Sequence, residues 1–277
     1  MATGSNIRTY FNGSWQDGNV PIMRAADHAA WLGSSVFDGA RFFDGMTPDL
    51  DLHCARTNRS AEAMMLTPTV TTDDMVAIAH EGLALYDKSA AVYIRPMYWG
   101  IDGDVTAIVP SPDTTGFALC LEQIPMAAAS ATATLTRTRF CRPVLDSAVV
   151  NAKAGCLYPN NARMLHEARS KGFSNALVLD PLGNVAETAT ANIFMVRDGE
   201  VVTPVPNGTF LSGITRARHI ANLRADGVTG TETVPGCATL DVADAVVMTD
   251  DIKKSTQGAT LVDGQQQAAE LADRLRD

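Results

Sequence analysis

The chain has 277 residues, of which 46% are hydrophobic and 19% charged, and a mean hydropathy near zero, as expected for a soluble globular protein. A net charge of −9 and a pI near 5.0 argue against a general nucleic-acid binder, which needs a basic surface, but leave small anionic substrates open. The N-terminus lacks the apolar core of a signal peptide, and no run of about 18 apolar residues predicts a membrane span, so we expect a cytoplasmic protein.

The cysteines are scattered and form no C-x-x-C pair. There are five of them: Cys54, Cys120, Cys141, Cys156 and Cys237. This pattern fits reduced thiols and indicates neither a zinc site nor a disulfide framework.

The N-terminal elements predict a hairpin followed by two helices. Residues 10–18 place an Asn-Gly turn between aromatic residues, which is a strong hairpin signal. Helices are predicted over 55–66 and 71–89. Thr72 precedes two aspartates, so we expect it to be the N-cap of the second helix.

Two apolar, β-rich runs come next and are followed by a change in composition. They predict strands over 90–100 and 115–124. The small, nearly featureless residues that follow predict a linker over 123–133, which would separate an N-terminal domain (1–122) from a C-terminal domain (134–277).

The second half predicts helices and strands that do not alternate strictly. Helices are expected over 158–172, 213–227 and 265–277, and a strand over 243–251. Residues 175–204 contain three strand-like runs divided by Pro-Leu-Gly-Asn and Arg-Asp-Gly-Glu turns. Runs of strands with helices between them indicate the α+β class.

Lys153 stands in surroundings that are unusual for a charged residue. It lies between alanines just before Gly155, and residues 147–152 carry no charge. An apolar environment disfavours the ammonium form, so the pKa of such a lysine falls and its neutral amine can attack a carbonyl. The carbonyl that enzymes most often hold this way is the aldehyde of pyridoxal phosphate (PLP). The alternative is a solvated loop lysine.

The chain offers groups for the ring of PLP. Glu187, a single carboxylate among small and apolar residues, would pair with a protonated pyridine nitrogen. Tyr158 would donate a hydrogen bond to the phenolic oxygen. The alternative for Glu187 is an ordinary edge-strand carboxylate.

The chain also offers a cradle for the phosphate. A glycine turn runs into the predicted helix at 213, so the amides of Ile214 and Thr215 would point at an anion with the helix dipole in support. Arg56 or Arg59 would add positive charge. An ordinary helix start and two surface arginines are the alternatives.

Taken in order, these segments resemble the class IV, or fold type IV, PLP-dependent aminotransferases. The family spells them as a lysine-Gly-x-Tyr segment, an acidic residue before an Asn-(Ile/Leu)-Phe strand, and a Leu-x-Gly-Ile-Thr-Arg turn; here they read NAKAGCLYPNN, ANIF and LSGITR. The segments FNGSW, DHAAWLGSSVFDGARFFDG and YIRP look like the opening of a branched-chain aminotransferase. The resemblance covers almost the whole chain.

The resemblance implies an architecture. It implies an α+β enzyme with a small N-terminal α/β domain, a larger C-terminal domain with a β-barrel-like sheet, and PLP at the domain interface. It also implies a homodimer or larger oligomer in which the loop 100–110 reaches the neighbouring subunit's site.

The resemblance also implies roles for individual residues. Lys153 would form the Schiff base and move the proton during catalysis, while Glu187 and Tyr158 would contact the ring. The family places its phosphate arginine four residues before a Ser-Ala pair, which selects Arg56 because Ser60 begins that pair. Further cofactor contacts are implied for Leu211, Ile214 and Thr215.

The substrate pocket is implied by the same resemblance. The family binds the amino-acid carboxylate near the YIRP and V-F-(E/D)-G segments, so Phe37, Tyr93 and Arg95 are expected in the pocket wall. Arg95 would either contact a carboxylate or organise the wall. Asp38 stands where branched-chain enzymes usually carry glutamate, and we expect Arg41 to be structural.

The chain departs from the family pattern near its C-terminus. Asp251 stands at the place of a phosphate-binding threonine. A carboxylate beside a phosphate is unfavourable, so we expect either the Asp251 backbone or Thr249 to serve. Lys253 or Lys254 would then take over binding of the substrate carboxylate.

Two further departures concern the substrate pocket. Residues 124–130 lack the aromatic residues of typical branched-chain enzymes, and Leu32 replaces a pocket tyrosine. The favoured function is amino transfer from a branched-chain L-amino acid to a 2-oxo acid such as 2-oxoglutarate. The alternatives are a D-amino-acid or (R)-amine transaminase, an aminodeoxychorismate lyase that eliminates pyruvate, and a PLP-fold protein without activity.

Overall fold

The structure is a computed structural model that describes residues 4–127, 132–228, 230–236, 245–250 and 254–258. The side chains of residues 245, 250 and 254–258 are outside that description. The described residues also exclude Cys237, Asp251, Lys253 and the predicted helix over 265–277.

The chain folds as two compact units, and the first of them is assembled from two separate stretches. One unit contains Met1–Met126 with Asn151–Leu157, and the other contains Ala127–Val150 with Tyr158–Asp277. The stretch that carries Lys153 therefore belongs to the unit built by N-terminal residues, which the sequence did not lead us to expect. The boundaries predicted at 122 and 134 stay predictions.

The first unit is an antiparallel sheet with helices. Its strands follow the order β2-β1-β6-β5-β3, and β4 also pairs with β5. The elements are β1 (Ser5–Phe11), β2 (Ser14–Asp17), α1 (His28–Leu32), β3 (Ser35–Phe37), β4 (Ala40–Phe42), α2 (Leu50–Ala63), α3 (Thr72–Leu83), β5 (Val92–Gly100), β6 (Thr115–Gln123) and a 3-10 turn (Gly155–Leu157).

Local sequence explains most of this unit. Asn12 and Gly13 both adopt positive φ, 52° and 79°, which a two-residue hairpin turn requires, so the predicted hairpin is confirmed. The N-cap of α3 is Thr71, whose hydroxyl accepts a hydrogen bond from the Asp74 amide, and the prediction of Thr72 was wrong by one residue. Helix α2 begins at Leu50, five residues before the predicted start.

The second unit contains two sheets among its described residues. The sheet orders are β10-β9-β8 and β13-β12-β11-β14-β15-β7. The elements are β7 (Thr132–Ala133), β8 (Leu135–Cys141), α4 (Tyr158–Ser170), β9 (Asn175–Leu179), β10 (Val185–Thr188), β11 (Asn192–Arg197), β12 (Glu200–Pro204), α5 (Ile214–Ala225), β13 (Gly230–Thr233), β14 (Ala245–Asp250) and β15 (Lys254–Gly258).

One run that we interpreted as a single strand is two strands joined by a tight turn. The Thr188 amide donates to the Ala191 carbonyl at 2.9 Å, and the Thr188 hydroxyl accepts from the Ala191 amide at 3.0 Å. These bonds close the chain between β10 and β11, so residues 175–204 form four strands instead of three. The turn places Glu187 and Asn192 on consecutive strands.

The core of the second unit lies where α5 covers the larger sheet. Its apolar side chains are almost completely buried, which supplies the main driving force for folding. One cluster contains Phe194, Val196, Val201, Ile220, Leu223 and Val247. The α+β class predicted from the sequence is confirmed. In the part of the chain that the structure describes, none of the helices has the length and apolarity that crossing a bilayer requires.

Candidate active site

The Lys153 backbone is pinned to β3 and α2 of the first unit. Its amide donates to the Ser60 hydroxyl at 3.1 Å, and its carbonyl accepts from the Phe37 amide at 3.1 Å. An antiparallel bridge joins the neighbouring Ala154 to Val36. Because both sides of the peptide are held, the half-buried side chain leaves the backbone from a fixed point.

The Lys153 amine stands over an aromatic face. Its Nζ lies 5.4 Å from the centre of the Phe37 ring. The distance is that of a cation–π contact. Lys153 is the predicted catalytic residue, and Phe37 is a predicted residue of the substrate pocket wall. The structure therefore brings Lys153 and Phe37 together.

Arg56 is buried and held by a carboxylate. Its Nε donates to Asp38 Oδ2 at 2.6 Å and its Nη2 to Asp38 Oδ1 at 2.7 Å, a paired geometry that fixes the guanidinium plane. His53 Nδ1 lies 2.8 Å from Asp38 Oδ1. Arg59, by contrast, is exposed on the same helix, which supports the choice of Arg56 over Arg59.

Asp38 stays ionised although it is completely enclosed. Burial alone would raise its pKa, but the Arg56 charge and the hydrogen bonds from Arg56 and His53 hold that pKa well below its ordinary value. The Gly39 amide adds another donor at 2.7 Å. The carboxylate at this position thus serves the arginine, which explains why aspartate can replace glutamate without loss of the charge.

The predicted substrate residues Tyr93 and Arg95 lie together on β5. The Arg95 guanidinium is 5.1 Å from the centre of the Tyr93 ring and pairs with Glu122 at 2.5 Å. A Cβ at Gly39 would collide with the Tyr93 hydroxyl, so glycine lets the V-F-D-G segment approach this tyrosine. The carboxylate that Arg95 contacts in the structure is that of Glu122.

Arg41 forms contacts of a structural kind. Its Nη2 donates to the Ile124 carbonyl at 2.5 Å and to the Met126 sulfur at 2.9 Å. The side chain is buried, with 4% of its surface exposed. These contacts bind β4 to the chain that follows β6, as expected for a structural arginine.

Glu187 is buried in the second unit although β10 is an edge strand. Arg142 Nε lies 2.9 Å from Glu187 Oε1, in the geometry of an ion pair and not of an aligned hydrogen bond. The Asn192 amide donates to Oε2 at 3.1 Å. Both oxygens of the carboxylate therefore have a partner, and an ordinary exposed edge-strand role for Glu187 does not fit.

The turn before α5 has the form that was predicted for an anion cradle. The helix begins at Ile214, and Gly213 is its N-cap in an extended conformation. A Cβ at Gly213 would collide with the side-chain oxygen of Asn192, while the Asn192 amide donates to the Leu211 carbonyl at 3.2 Å. The amides of Ile214 and Thr215 open the helix, where the helix dipole favours an anion.

Thr249 lies next to this turn on the sheet. It is the antiparallel partner of Asn192, so the two side chains share one face of the sheet. Only 2% of Thr249 is exposed, and among the described residues its hydroxyl has no hydrogen-bond partner. A buried hydroxyl in this state calls for a ligand or a water.

The remaining predicted residues have simpler positions. Tyr158 is the first residue of α4, and its side chain is exposed. Lys254 opens β15, but its side chain is outside the description, as are Asp251 and Lys253 entirely. Among the described residues, no group of His, Cys, Asp and Glu could hold a metal ion.

The sequence did not reveal three of the residues that organise these groups. His53 and Arg142 carried no local signal, because their importance depends on burial beside Asp38 and Glu187. Asn192 was visible in the Asn-Ile-Phe spelling, but its contacts with Glu187 and Leu211 come from the fold.

Comparison with known proteins identifies one family across most of the chain. The model of the family "Amino-transferase class IV" matches residues 35–254. The "Probable branched-chain-amino-acid aminotransferase" of Rickettsia felis is 30% identical over 96% of this chain and 92% of its own length. The match to the Rickettsia typhi protein of the same name spans 65% of that protein.

Solved structures agree. An aminotransferase from Brucella abortus bound to PLP is 52% identical, with a TM-score of 0.92 over 96% of this chain and 97% of that one. The branched-chain amino acid aminotransferase of Escherichia coli superimposes with a TM-score of 0.86 over 98% of this chain and 92% of that one; at 22% identity it supports the fold.

Proposed function

The chain belongs to the class IV aminotransferases, and we propose that it is a PLP-dependent enzyme that moves an amino group from a branched-chain L-amino acid to a 2-oxo acid such as 2-oxoglutarate. The relatives named as branched-chain-amino-acid aminotransferases support this substrate class. The PLP bound by the Brucella abortus aminotransferase supports the cofactor.

One observation carries the proposal. The buried Glu187 carboxylate and the glycine turn before α5 are joined through the single side chain of Asn192. A ligand with a basic ring nitrogen and a phosphate has the two groups that this pair is suited to bind. The unpartnered Thr249 hydroxyl beside Asn192 adds a donor for such a phosphate. The residues present therefore fit PLP.

The cofactor contacts follow from these positions. Glu187 would bind the protonated ring nitrogen, and Tyr158 would donate to the phenolic oxygen. Arg56, whose guanidinium is oriented by Asp38, would add positive charge at the phosphate. The remaining phosphate contacts are proposed for the turn and its neighbour, namely Leu211, Ile214, Thr215, Thr249 and the backbone of Asp251.

Lys153 is the proposed catalytic residue. PLP supplies an electron sink that stabilises negative charge at the substrate Cα. The Lys153 amine would bind the cofactor's aldehyde carbon, and later carry a proton away from the substrate Cα. Its backbone bonds to Ser60 and Phe37 fix the point from which the side chain leaves, which limits the positions that the amine can reach.

The substrate wall is proposed from Phe37, Tyr93 and Arg95. The Glu122 carboxylate compensates the positive charge of Arg95, so the aromatic faces of Phe37 and Tyr93 dominate this wall. Apolar faces suit an aliphatic side chain. This supports the branched-chain preference and gives Arg95 the role of organising the wall.

We also propose a homodimer in the cytoplasm. The loop 100–110 exposes the apolar side chains of Val105 and Ile108, and a second copy would cover them. Described cysteines are free thiols, as a reducing compartment would keep them.

The experiment that tests the function is a half-reaction. Purified protein loaded with PLP is mixed with single L- and D-amino acids, and the visible absorbance of the lysine-bound cofactor is followed together with the 2-oxo acid formed. We expect conversion with L-leucine, L-isoleucine or L-valine. Conversion by D-amino acids alone would overturn the substrate, and pyruvate release from aminodeoxychorismate instead of amino transfer would overturn the reaction.

A pair of lysine variants controls this experiment. Lys153→Ala should abolish the visible band and the conversion. Lys171→Ala removes an exposed lysine that pairs with Glu167 at 2.7 Å, and it should leave both unchanged. If Lys153→Ala retained the conversion, another residue would hold the cofactor.

A further inference from the structure

Two side chains without an assigned role connect the groups that would bind PLP in the second unit. These groups are Tyr158 at the start of α4, Glu187 on β10 and the turn before α5. The connecting residues are Arg142 and Asn192, both of which are 7% exposed.

Asn192 uses its whole amide group at the site. Its two amide hydrogens go to Glu187 Oε2 at 3.1 Å and to the Leu211 carbonyl at 3.2 Å. Its oxygen lies where a Cβ on Gly213 would be, so the turn packs directly onto it. One planar group therefore fixes the distance between the carboxylate and the turn.

Arg142 holds the other oxygen of Glu187 and ties it to α4. Its Nη1 donates to Asn161 Oδ1 at 2.6 Å, one turn into the helix that Tyr158 begins. Its Nη2 donates to the Thr188 carbonyl at 2.8 Å and to the Ala189 carbonyl at 3.1 Å. The guanidinium thus spans from α4 to the turn that follows Glu187.

The two contacts together restrict the carboxylate. A glutamate with a single partner can still rotate about its terminal torsion, which is broad and shallow. Partners on both oxygens remove that freedom. A restricted acceptor binds a ring nitrogen at lower entropic cost than a mobile one.

We propose that Asn192 and Arg142 are positioning residues that set the Glu187 carboxylate in register with the phosphate turn, so that ring and phosphate are bound as one unit. This inference rests on the proposed PLP function. Asn192 has the larger role, because it contacts both the acid and the turn.

The test measures ligand binding, with three probes on each variant. The dissociation constant of PLP measures binding at both ends of the site, and that of pyridoxal measures binding of the ring without the phosphate. The dissociation constant of inorganic phosphate, obtained by competition with PLP, measures binding at the turn alone. For Asn192→Ala we expect the dissociation constant for PLP to rise about 10- to 100-fold. Pyridoxal and inorganic phosphate should both bind more weakly, whereas Glu187→Gln should weaken pyridoxal and leave inorganic phosphate unchanged.

Asn175→Ala is the matched control. Asn175 is also 7% exposed, in the same unit, and its amide donates to the Thr190 hydroxyl at 3.0 Å. It should lower stability to a similar degree and leave all three dissociation constants unchanged. If Asn192→Ala behaves like Asn175→Ala, Asn192 has only a structural role and the inference is wrong.

Two further variants keep the test decisive if Asn192→Ala does not fold. Asn192→Ser keeps a small polar group but cannot reach both partners, so the same loss at both ends is expected. Arg142→Gln at saturating PLP should lose visible circular dichroism per bound cofactor, because the ring is less fixed; Arg139→Gln, at an exposed arginine, should not. Unchanged dichroism in Arg142→Gln would remove Arg142 from this role.

The outcomes separate the two proposals. If the unaltered protein gives no visible band with PLP, the proposed function fails, and this inference fails with it. If the unaltered protein binds PLP and the Asn192 variants bind all three probes equally well, the inference fails alone.

Discussion

Each unit contains a buried ion pair of the proposed site, Asp38 with Arg56 in the first unit and Glu187 with Arg142 in the second. The partner proposed to contact PLP is the arginine in the first pair and the carboxylate in the second. In the first unit Asp38 has donors from Arg56, His53 and the Gly39 amide and is entirely enclosed. In the second unit Glu187 pairs with Arg142 and accepts a hydrogen bond from Asn192, and it keeps 9% of its surface exposed. The fully enclosed carboxylate supports its arginine, and the carboxylate that keeps some exposure can be reached by a ligand.

Accessibility distinguishes an ion pair that supports the fold from one that can bind a ligand. Both carboxylates are paired with an arginine, so pairing alone does not identify the functional group. The exposure that the carboxylate retains does. Substitutions at Asp38 should therefore change stability, and substitutions at Glu187 should change chemistry.

Asp38→Asn should have the largest effect. It leaves the buried Arg56 without a counter-charge, so we expect the free energy of unfolding to fall by about 3–5 kcal/mol. Urea unfolding followed by circular dichroism measures this. Asp17→Asn, which breaks the exposed pair with Arg8, should change little. Equal losses in the two variants would mean that Asp38 is not a supporting group.

Glu187→Gln should retain PLP but lose about 100-fold in turnover. A neutral amide cannot stabilise a protonated ring nitrogen, so the electron sink weakens. Steady-state kinetics with a branched-chain amino acid measures this, with Glu167→Gln as the control at an acid bonded to Thr138 and Lys171. Near-normal turnover in Glu187→Gln would exclude Glu187 from this role.

Arg56→Ala should raise the dissociation constant of PLP about 10- to 100-fold, because charge-assisted bonds to the phosphate are lost. Arg59→Ala, on the exposed side of the same helix, should leave it unchanged. Fluorescence titration with PLP compares them, and Arg56→Lys separates loss of charge from loss of the paired geometry. Equal effects of Arg56→Ala and Arg59→Ala would remove the reason for choosing Arg56.

The smallest effect concerns acid stability. The folded protein holds the pKa of Asp38 below its ordinary value of 3.8, so its contribution to stability is complete above that pH and is lost as the pH falls below it. Because only the unfolded state takes up this proton, the free energy of unfolding falls by about 1.4 kcal/mol for each pH unit below 3.8. In Asp38→Asn this part of the pH dependence should be absent. An identical slope of unfolding free energy against pH in both proteins would contradict it.

Much of the fold and the family could be predicted, because local patterns carry them. The Asn12-Gly13 hairpin needs only residues with positive φ, and the Lys153, Glu187 and Gly-Ile-Thr-Arg segments have a specific spelling and order. The class IV aminotransferase assignment from the sequence is confirmed. The individual residue roles stay predictions.

The supporting residues could not be predicted, because they are defined by distant partners. Arg142 lies 45 positions before Glu187 in the chain, and Asp38 lies 18 before Arg56. Nothing local to Arg142 distinguishes it from the exposed Arg139. The split between β10 and β11 was missed for a related reason, since Thr188 closes that turn with its own side chain and no glycine or proline marks it.

The discontinuous make-up of the first unit has a consequence for how the protein can be synthesised and dissected. A fragment that stops at Met126 contains every strand of the antiparallel sheet, but it lacks the stretch Asn151–Leu157 that bridges Val36 and bonds to Ser60. On the ribosome, this unit can be completed only after residue 157 has emerged. A truncated N-terminal fragment therefore leaves β3 with an unpaired edge, and adding the missing heptapeptide in trans should restore that pairing.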